Sequence, residues 1–546
     1  MKKLKAILLS VCSVALCASA VALLDNNTET VSVSADAAST WEMVYGASIR
    51  TVAPTGIRFT ARISEAEYAD LTANDADVSF GMIIMPYSYV AEYGDADTFF
   101  DADTKYTDKA DDTSKVRILH DSVDQLKTKK DGYYYFNVAL SDIAESNYEK
   151  EFYARAYYTD GTNYYFTPEN GTDNVRSVSY VAQKALEDHY DTASKTNYSA
   201  AKVATLTDYI TQFETVSNGS VTLTVADAAD VTSIVVDGTE VTPTSTSGNT
   251  VTLATTIGRH KATITTAKAS YDIPFVSATY VVDSAAALKD MSNHMTNNAA
   301  NTSKDEYIVL AKDIDWKNEN GTNSYNFQPA VTIAAWSGTF DGYGHTISNI
   351  TIYKAYGLLS TTFYGKAMDL VMKNVDAANS GTGGILCGVL GHASSKNETS
   401  YKNTVENVVI IGKNSNATNA GLIARQINAK GVVNNCIVID ESNMNGTTEN
   451  KNRSAIGGVP DGKTATITNT IAATTGVAVI NVTTKAAITS SYGVTQVDSE
   501  AAITAAQLSA FATAAGAESG WIYDETTGEL SLMGNVVFTV SPNSDL

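Results

Sequence analysis

Asp341 and His345 lie close together in the run Trp336-Ser337-Gly338-Thr339-Phe340-Asp341-Gly342-Tyr343-Gly344-His345, and as an acid and a base they could pass a proton to and from a substrate. Asp341-Gly342 is also a turn signal and Gly344 a second one, so the same residues read more simply as a tight corner. Trp316, followed by Lys317-Asn318-Glu319-Asn320-Gly321, is expected to project from a loop. Loop aromatics stack on sugars or anchor protein partners, and packing is the competing role for this one. Trp316, Tyr343 and His345 are the candidate binding residues.

The other chemistry-bearing residues form no catalytic pattern. The histidines stand at 120, 189, 260, 294, 345 and 392 without a His-Glu-x-x-His pair, which a zinc peptidase needs on one helix face. There is no Gly-x-Ser-x-Gly elbow for a serine nucleophile. Cys387 and Cys436 sit in apolar stretches, where free thiols packing as small hydrophobes are expected. Asp95, Asp97, Asp101 and Asp103 are dense enough to suggest calcium. Their loop lacks the Gly and terminal Glu of a helix-loop-helix site, so it reads as a solvated acidic loop. No catalytic residue, metal or cofactor is implied.

Lys and Arg number 38 against 60 Asp and Glu, a formal net charge of -22, which argues against nucleic acid and anionic lipid as partners. A chain of 546 residues exceeds one ordinary core. Only 18% of residues are charged, and Thr, Ser, Asn, Ala and Tyr abound, which suits an all-β class. Lys2, Lys3 and Lys5 before the apolar run from Ala6 to Leu24 read as an export signal, with cleavage candidates at Ala18-Ser19-Ala20 and Ala35-Asp36-Ala37, the later preferred, which gives a signal over residues 1–37. An uncleaved anchor is the alternative, and either way the body faces outward. No later apolar run is long enough to span a bilayer, and no C-terminal sorting signal is legible.

Between Trp41 and Phe166, short apolar runs alternate with turns, as in Gly56-Ile57-Arg58-Phe59-Thr60-Ala61-Arg62-Ile63, and read as a β-sandwich. Helical faces follow at Val175, Val178, Ala182, Ala185 and Leu186, then at Val203, Leu206, Ile210 and Phe213, closing a module over 38–215. Five strand-like runs over 216–282 predict a small immunoglobulin-like spacer without the Cys pair of that fold.

Residues 283–546 have a repeating texture. After a helix marked by Leu288, Met291 and Met295 and a strand over Tyr307–Asp315, apolar strands carry Asn374, Asn407, Asn435 and Asn469, spaced by 33, 28 and 34 residues. Between them fall Gly357-Leu358-Leu359, Gly383-Gly384-Ile385-Leu386, Gly421-Leu422-Ile423 and Gly457-Gly458-Val459. Two interleaved series predict a right-handed parallel β-helix in which the asparagines stack as a structural ladder. A capping box at Thr504-Ala505-Ala506-Gln507, with Leu508 and Phe511 on one face and a stop at Gly516, marks the end. Trp521-Ile522-Tyr523 and Leu530-Ser531-Leu532 are expected to cover the open coil edge.

The segment from Trp336 to Ile350, preceded by Asp313-Ile314-Asp315 and followed by Gly357-Leu358-Leu359 and Gly421-Leu422-Ile423, resembles the first coil of bacterial β-helix proteins with the GLUG motif. It departs from that pattern at Ser360-Thr361-Thr362, where a Phe-Gly pair is usual. The resemblance implies surface display and adhesion-like roles. The group includes regions attached to immunoglobulin-A-cleaving metallopeptidases, whose catalytic domain is not visible here. Gly46-Ala47-Ser48-Ile49-Arg50, Gly56-Ile57-Arg58-Phe59 and Tyr153-Ala154-Arg155-Ala156-Tyr157 are similar to a β-rich module of secreted Firmicute proteins, which implies a Gram-positive source.

The function expected from these features is a secreted or cell-surface, non-catalytic binding protein, monomeric, presenting the β-helix to a glycan or a surface protein. A polysaccharide lyase or hydrolase of the β-helix type is the enzymatic alternative, for which the repeat half supplies only Arg425 and Arg453 as arginines and no recurring Asp cluster. An architectural stalk is the third.

Overall fold

The computed structural model describes residues 39–540 except 75–77, 89, 91–118, 161–163, 169–171, 297–303, 353–356, 378–382, 392–400, 414, 416–418, 429, 443–451, 461–464, 475–477 and 483–492. The export signal expected over 1–37 and the acidic loop from Asp95 to Asp103 lie outside the described residues. The protein is mostly β. Its contacts divide into two units. One holds the described residues up to Thr211 with Thr222–Leu253 and Lys261–Pro274, and the other holds Gln212–Val221, Ala254–His260 and the described residues from Phe275 on. No helix among the described residues is long and apolar enough to cross a membrane.

In the first unit, alternation along Gly56–Ser64 buries Ile57, Phe59, Ala61 and Ile63 and leaves Arg58 exposed. That strand lies in an antiparallel sheet between Glu42–Met43 and Tyr133–Ser141, with Thr128–Lys130 beyond and Ser48–Arg50 also paired to it. A second antiparallel sheet orders Val175–Ser177, Glu151–Thr159, Ser79–Pro86 and Leu119–Val123, with Tyr164–Phe166 on Glu151–Thr159. Ser177 caps helix Val178–Tyr190 by accepting from the Tyr180 amide, and Val178, Ala182 and Leu186 are buried. Val175 belongs to the strand before this helix. Helix Ala200–Asp208 is shorter than its periodicity predicts, with Ile210 in the turn after it and Phe213 in a strand. Gln183, fully buried, donates to the Thr224 carbonyl and accepts from the Ala226 amide and the Tyr271 hydroxyl. The strands Ser220–Thr224 and Ser270–Ala278 are thereby tied, at these residues, to that helix.

In the second unit the chain feeds two parallel sheets in turn. One runs Tyr280–Val282, Tyr307–Leu310, Thr339–Asp341, Lys366–Ala377, Thr404–Lys413, Ile437–Asp440, Thr470–Thr474 and Val494–Val497. The other runs Ala335–Trp336, Ser360–Phe363, Cys387–Leu390, Ala424–Ile427 and Asn452–Val459. Leu359, Leu386 and Ile423 from one side meet Ala367, Leu370, Val405, Val408 and Val433 from the other in a single core. Cys387 and Cys436 lie in that core as free thiols, and burial pushes Cys436 up to about 12. The Gly runs are in register through Leu358–Ile385, Ile385–Leu422 and Leu422–Ala455 amide–carbonyl bonds, so the last turn of the series is Ser454-Ala455-Ile456 rather than Gly457-Gly458-Val459.

The asparagine series also needs correcting. Asn407, Asn435 and Asn469 occupy equivalent positions, all at left-handed φ of 52°, 51° and 40°. Asn374 is not among them. The residue beside Asn407 is Asp369, at φ 52°, while Asn374 stacks on Asn349 and donates to its Oδ1 at 2.5 Å. Asn and Asp tolerate this conformation better than other side chains, which explains their recurrence at a one-residue bend.

Beyond the bend, Val371, Val409, Ile437 and Ile471 turn outward and are covered by Leu508 and Phe511 of helix Ala505–Ala515 and by Trp521, Leu530 and Leu532. Thr504 and Gln507 form the expected capping box. The terminal strands Trp521–Asp524, Glu529–Leu532 and Asn535–Thr539 therefore cover a face of the parallel sheet, not its edge. Without that cover the outward apolar residues of the face would meet water.

Candidate functional site

Asp341 is fully buried at the end of strand Thr339–Asp341, where its Oδ1 accepts the Tyr343 amide at 2.9 Å and closes the corner that the Asp-Gly signal predicts. Its charge is met by Arg259, whose Nε donates to Oδ2 at 2.6 Å, and Tyr307 donates to the same oxygen. The Arg259 fork also reaches Asp369 Oδ2 at 2.5 Å, and its guanidinium lies 4.8 Å from the Tyr343 ring centre. Burial alone would lower the Arg259 pKa, but hydrogen bonding and charge from Asp341, then charge from Asp369, raise it above its ordinary value. Burial, reinforced by Asp341, pushes Tyr307 up as well. A cation locked between two carboxylates, with a phenol held protonated, is a structural knot: the Asp341 lone pairs that a base would use are occupied.

His345 is nearly buried. Its Nδ1 lies 3.4 Å from Asp313 Oδ1, and its ring is edge-on to Phe213. Tyr343 and His345 thus share one neighbourhood, with ring centres 6.4 Å apart. Trp316 does not join them and does not project. It opens the one-turn helix Trp316–Glu319, is 4% exposed, stands edge-on to Phe327 at 4.9 Å and donates to the Asn326 carbonyl. The polar residues after Trp316 signalled a loop, whereas Asp315 caps a helical turn there that folds the indole inward. Arg259 was missed because it lies outside the repeats. Its only sequence signal is an arginine beside Gly258 in a Thr-rich strand.

A set of accessible functional groups in this unit lies on the other side of the bend. Before each left-handed residue the strands turn their outer side chains to solvent in two rows. One holds Lys366, Thr404, Val432 and Thr466, and the other Glu406, Asn434 and Thr468. Rows in a parallel sheet repeat at about 4.8 Å. Lys366 pairs with Glu406 at 2.5 Å, both about one-quarter to one-third exposed, and Thr468 donates to Asn434 Oδ1 at 2.7 Å. At one margin Tyr364 stacks on Tyr401 at 4.6 Å, and Lys402 donates to Thr339 Oγ1 at 2.8 Å. Burial, with the neighbouring Lys366 charge, lowers the Lys402 pKa. These rows offer hydroxyl, amide and charged groups, with Val432 among them, at partly or fully exposed positions.

Elsewhere in the unit, Asp440, Glu441, Asp498 and Glu500 ring a cleft of about 760 Å³ floored by Ile439, Ile503 and Phe538. Among the described residues no three metal-ligating side chains converge. Arg425 stands on strand Ala424–Ile427 with its Nε buried and without a hydrogen-bond partner among the described residues, and the side chain of Arg453 lies outside the described residues.

No family model matches the chain, and no curated protein matches it. Among solved structures, a proposed immunoglobulin A1 protease from Bacteroides ovatus aligns over 37% of this chain and 66% of its own at 16% identity, with a TM-score of 0.26.

Proposed function

We propose that the protein is a secreted or cell-surface, non-catalytic binding protein. In this reading the second unit is a right-handed parallel β-helix of the GLUG type that presents its outward polar rows to a neutral glycan. The first unit supplies a β-sandwich and an immunoglobulin-like segment as spacer or second site. The observation that carries the reading is the register of Glu406, Asn434 and Thr468 beside Lys366, Thr404, Val432 and Thr466. A periodic sugar chain can satisfy such rows in repeating fashion. Sugar hydroxyls both donate and accept, as do Asn and Thr side chains, whereas a uniform anion would meet Glu406. The basic, then apolar, N-terminal sequence supports export.

The test is a neutral-glycan array on the full chain, followed by a reducing-end assay on every glycan bound. Binding without product is expected. New reducing or unsaturated ends above a heat-killed control would replace this reading with the lyase or hydrolase.

A further inference from the structure

One sheet face of the first unit carries charge opposite in sign to that of the chain as a whole. Along strand Gly56–Ser64 the side chains opposite the buried Ile57, Phe59, Ala61 and Ile63 include Arg58 and Arg62, and Arg50 stands on the adjacent strand opposite Gly56. Three arginines on one sheet face are a concentration that the net charge of -22 does not suggest. Arg62 is paired with Glu42 at 2.7 Å. Each of Arg50 and Arg58 spends its Nε on a neutral acceptor, the Val52 carbonyl at 3.1 Å and Ser48 Oγ at 3.0 Å, and no carboxylate among the described residues forms an ion pair with either. A further cation adds to the imbalance. Lys202, with its Nζ 3.5 Å from the Tyr198 ring centre, is held below its ordinary value by burial and then by the Arg58 charge.

Aromatic rings share this face. Tyr135 is the register partner of Arg62, and the Arg62 guanidinium lies 4.5 Å from the Tyr133 ring centre. Between them and Arg58, Thr60 and Asn137 bond to each other across the strands at 2.7 Å. From Gly56 to Ser64 the strand spans about 27 Å, room for several sugar units.

We propose that this sheet face binds an acidic polysaccharide, with its carboxylates on Arg50 and Arg58 and its sugar rings against Tyr133 and Tyr135. Arginine presents a planar fork that matches carboxylate geometry, and a tyrosine face accepts the apolar face of a pyranose. Both groups in one strip fit a polymer carrying charge and ring together. The site is independent of the outward rows of the second unit.

The test uses the full chain and polygalacturonate, with dextran as neutral control and anionic phospholipid vesicles as the competing surface. Affinity electrophoresis at low ionic strength is expected to show retardation by polygalacturonate only, fading as salt is added. Arg50→Gln with Arg58→Gln should weaken it about tenfold or more. Ser48→Glu, which brings a carboxylate to Arg58 without removing any arginine, should weaken it in the same sense. Glu525→Gln, at an exposed position of the second unit, should leave it unchanged. No retardation by polygalacturonate, equal retardation of the variants at an unchanged melting temperature, or binding to the vesicles alone would overturn the proposal.

Discussion

Asn407 donates its Nδ2 to Asp369 Oδ1 at 2.7 Å, while Arg259 holds the other oxygen of the same carboxylate. The neutral amide serves as a donor that needs no charge of its own, in a place where both residues are almost fully buried. Asn407→Asp would set a second carboxylate against Asp369, and removal of a donor from a buried carboxylate is costly. The expected loss is about 2 to 4 kcal/mol by denaturant unfolding. Asn374→Asp, at the exposed Asn349 pair, should cost about 1 kcal/mol or less. Equal effects at the two sites would contradict the assignment of Asn374 to a separate stack.

Arg259→Met removes the cation shared by Asp341 and Asp369 and should destabilise by about 3 to 5 kcal/mol at neutral pH, since two buried carboxylates are left facing each other. Burial raises Asp369 above the ordinary carboxylate range, against the pull of Arg259 and with Asp341 adding to the rise. A raised folded-state pKa means that the proton favours the folded form. Its contribution is present below the unfolded value of about 4 and is lost as pH rises through the folded value. The variant lacks the opposing charge, so its deficit relative to the wild type should narrow as pH falls, measured by unfolding at stepped pH.

Gly421 admits no side chain: a Cβ there would fall 2.5 Å from the carbonyl oxygens of Ala424 and Ile456. Gly421→Ala should cost about 1 to 3 kcal/mol through overpacking. Ser454 occupies the corresponding place in the next repeat and has a buried hydroxyl without a partner among the described residues, so Ser454→Ala should be neutral or mildly stabilising by calorimetry.

Trp316→Ala should lower stability by about 3 to 5 kcal/mol, the cost of emptying a large core site. A variant with unchanged melting temperature would return the indole to the surface.

The alternation around Ile57 and Phe59, the capping box at Thr504 and the interleaved Gly and Asn series are local signals, and they gave the strands, the terminal helix and the two parallel sheets. Which asparagine stacks on which depends on loop lengths. A fixed spacing therefore chose Asn374, where the chain places Asp369. Trp316 misled because its flanking residues are polar while its own burial depends on Phe327. Arg259 pairs with Asp341 across 82 residues, beyond any local pattern. The arginines at 50, 58 and 62 vanish into a net sum of opposite sign until strand pairing sets them on one face.

The central claim, recognition without turnover through the outward rows, is tested most directly by calorimetric titration of the best neutral array glycan into the full chain and into the Glu406→Ala, Asn434→Ala, Thr468→Ala variant. The account expects saturable binding with no reaction heat beyond it, and a loss of about tenfold or more in affinity in the variant at unchanged melting temperature. Undiminished binding by the variant, or heat that continues as the glycan is cleaved, would contradict it.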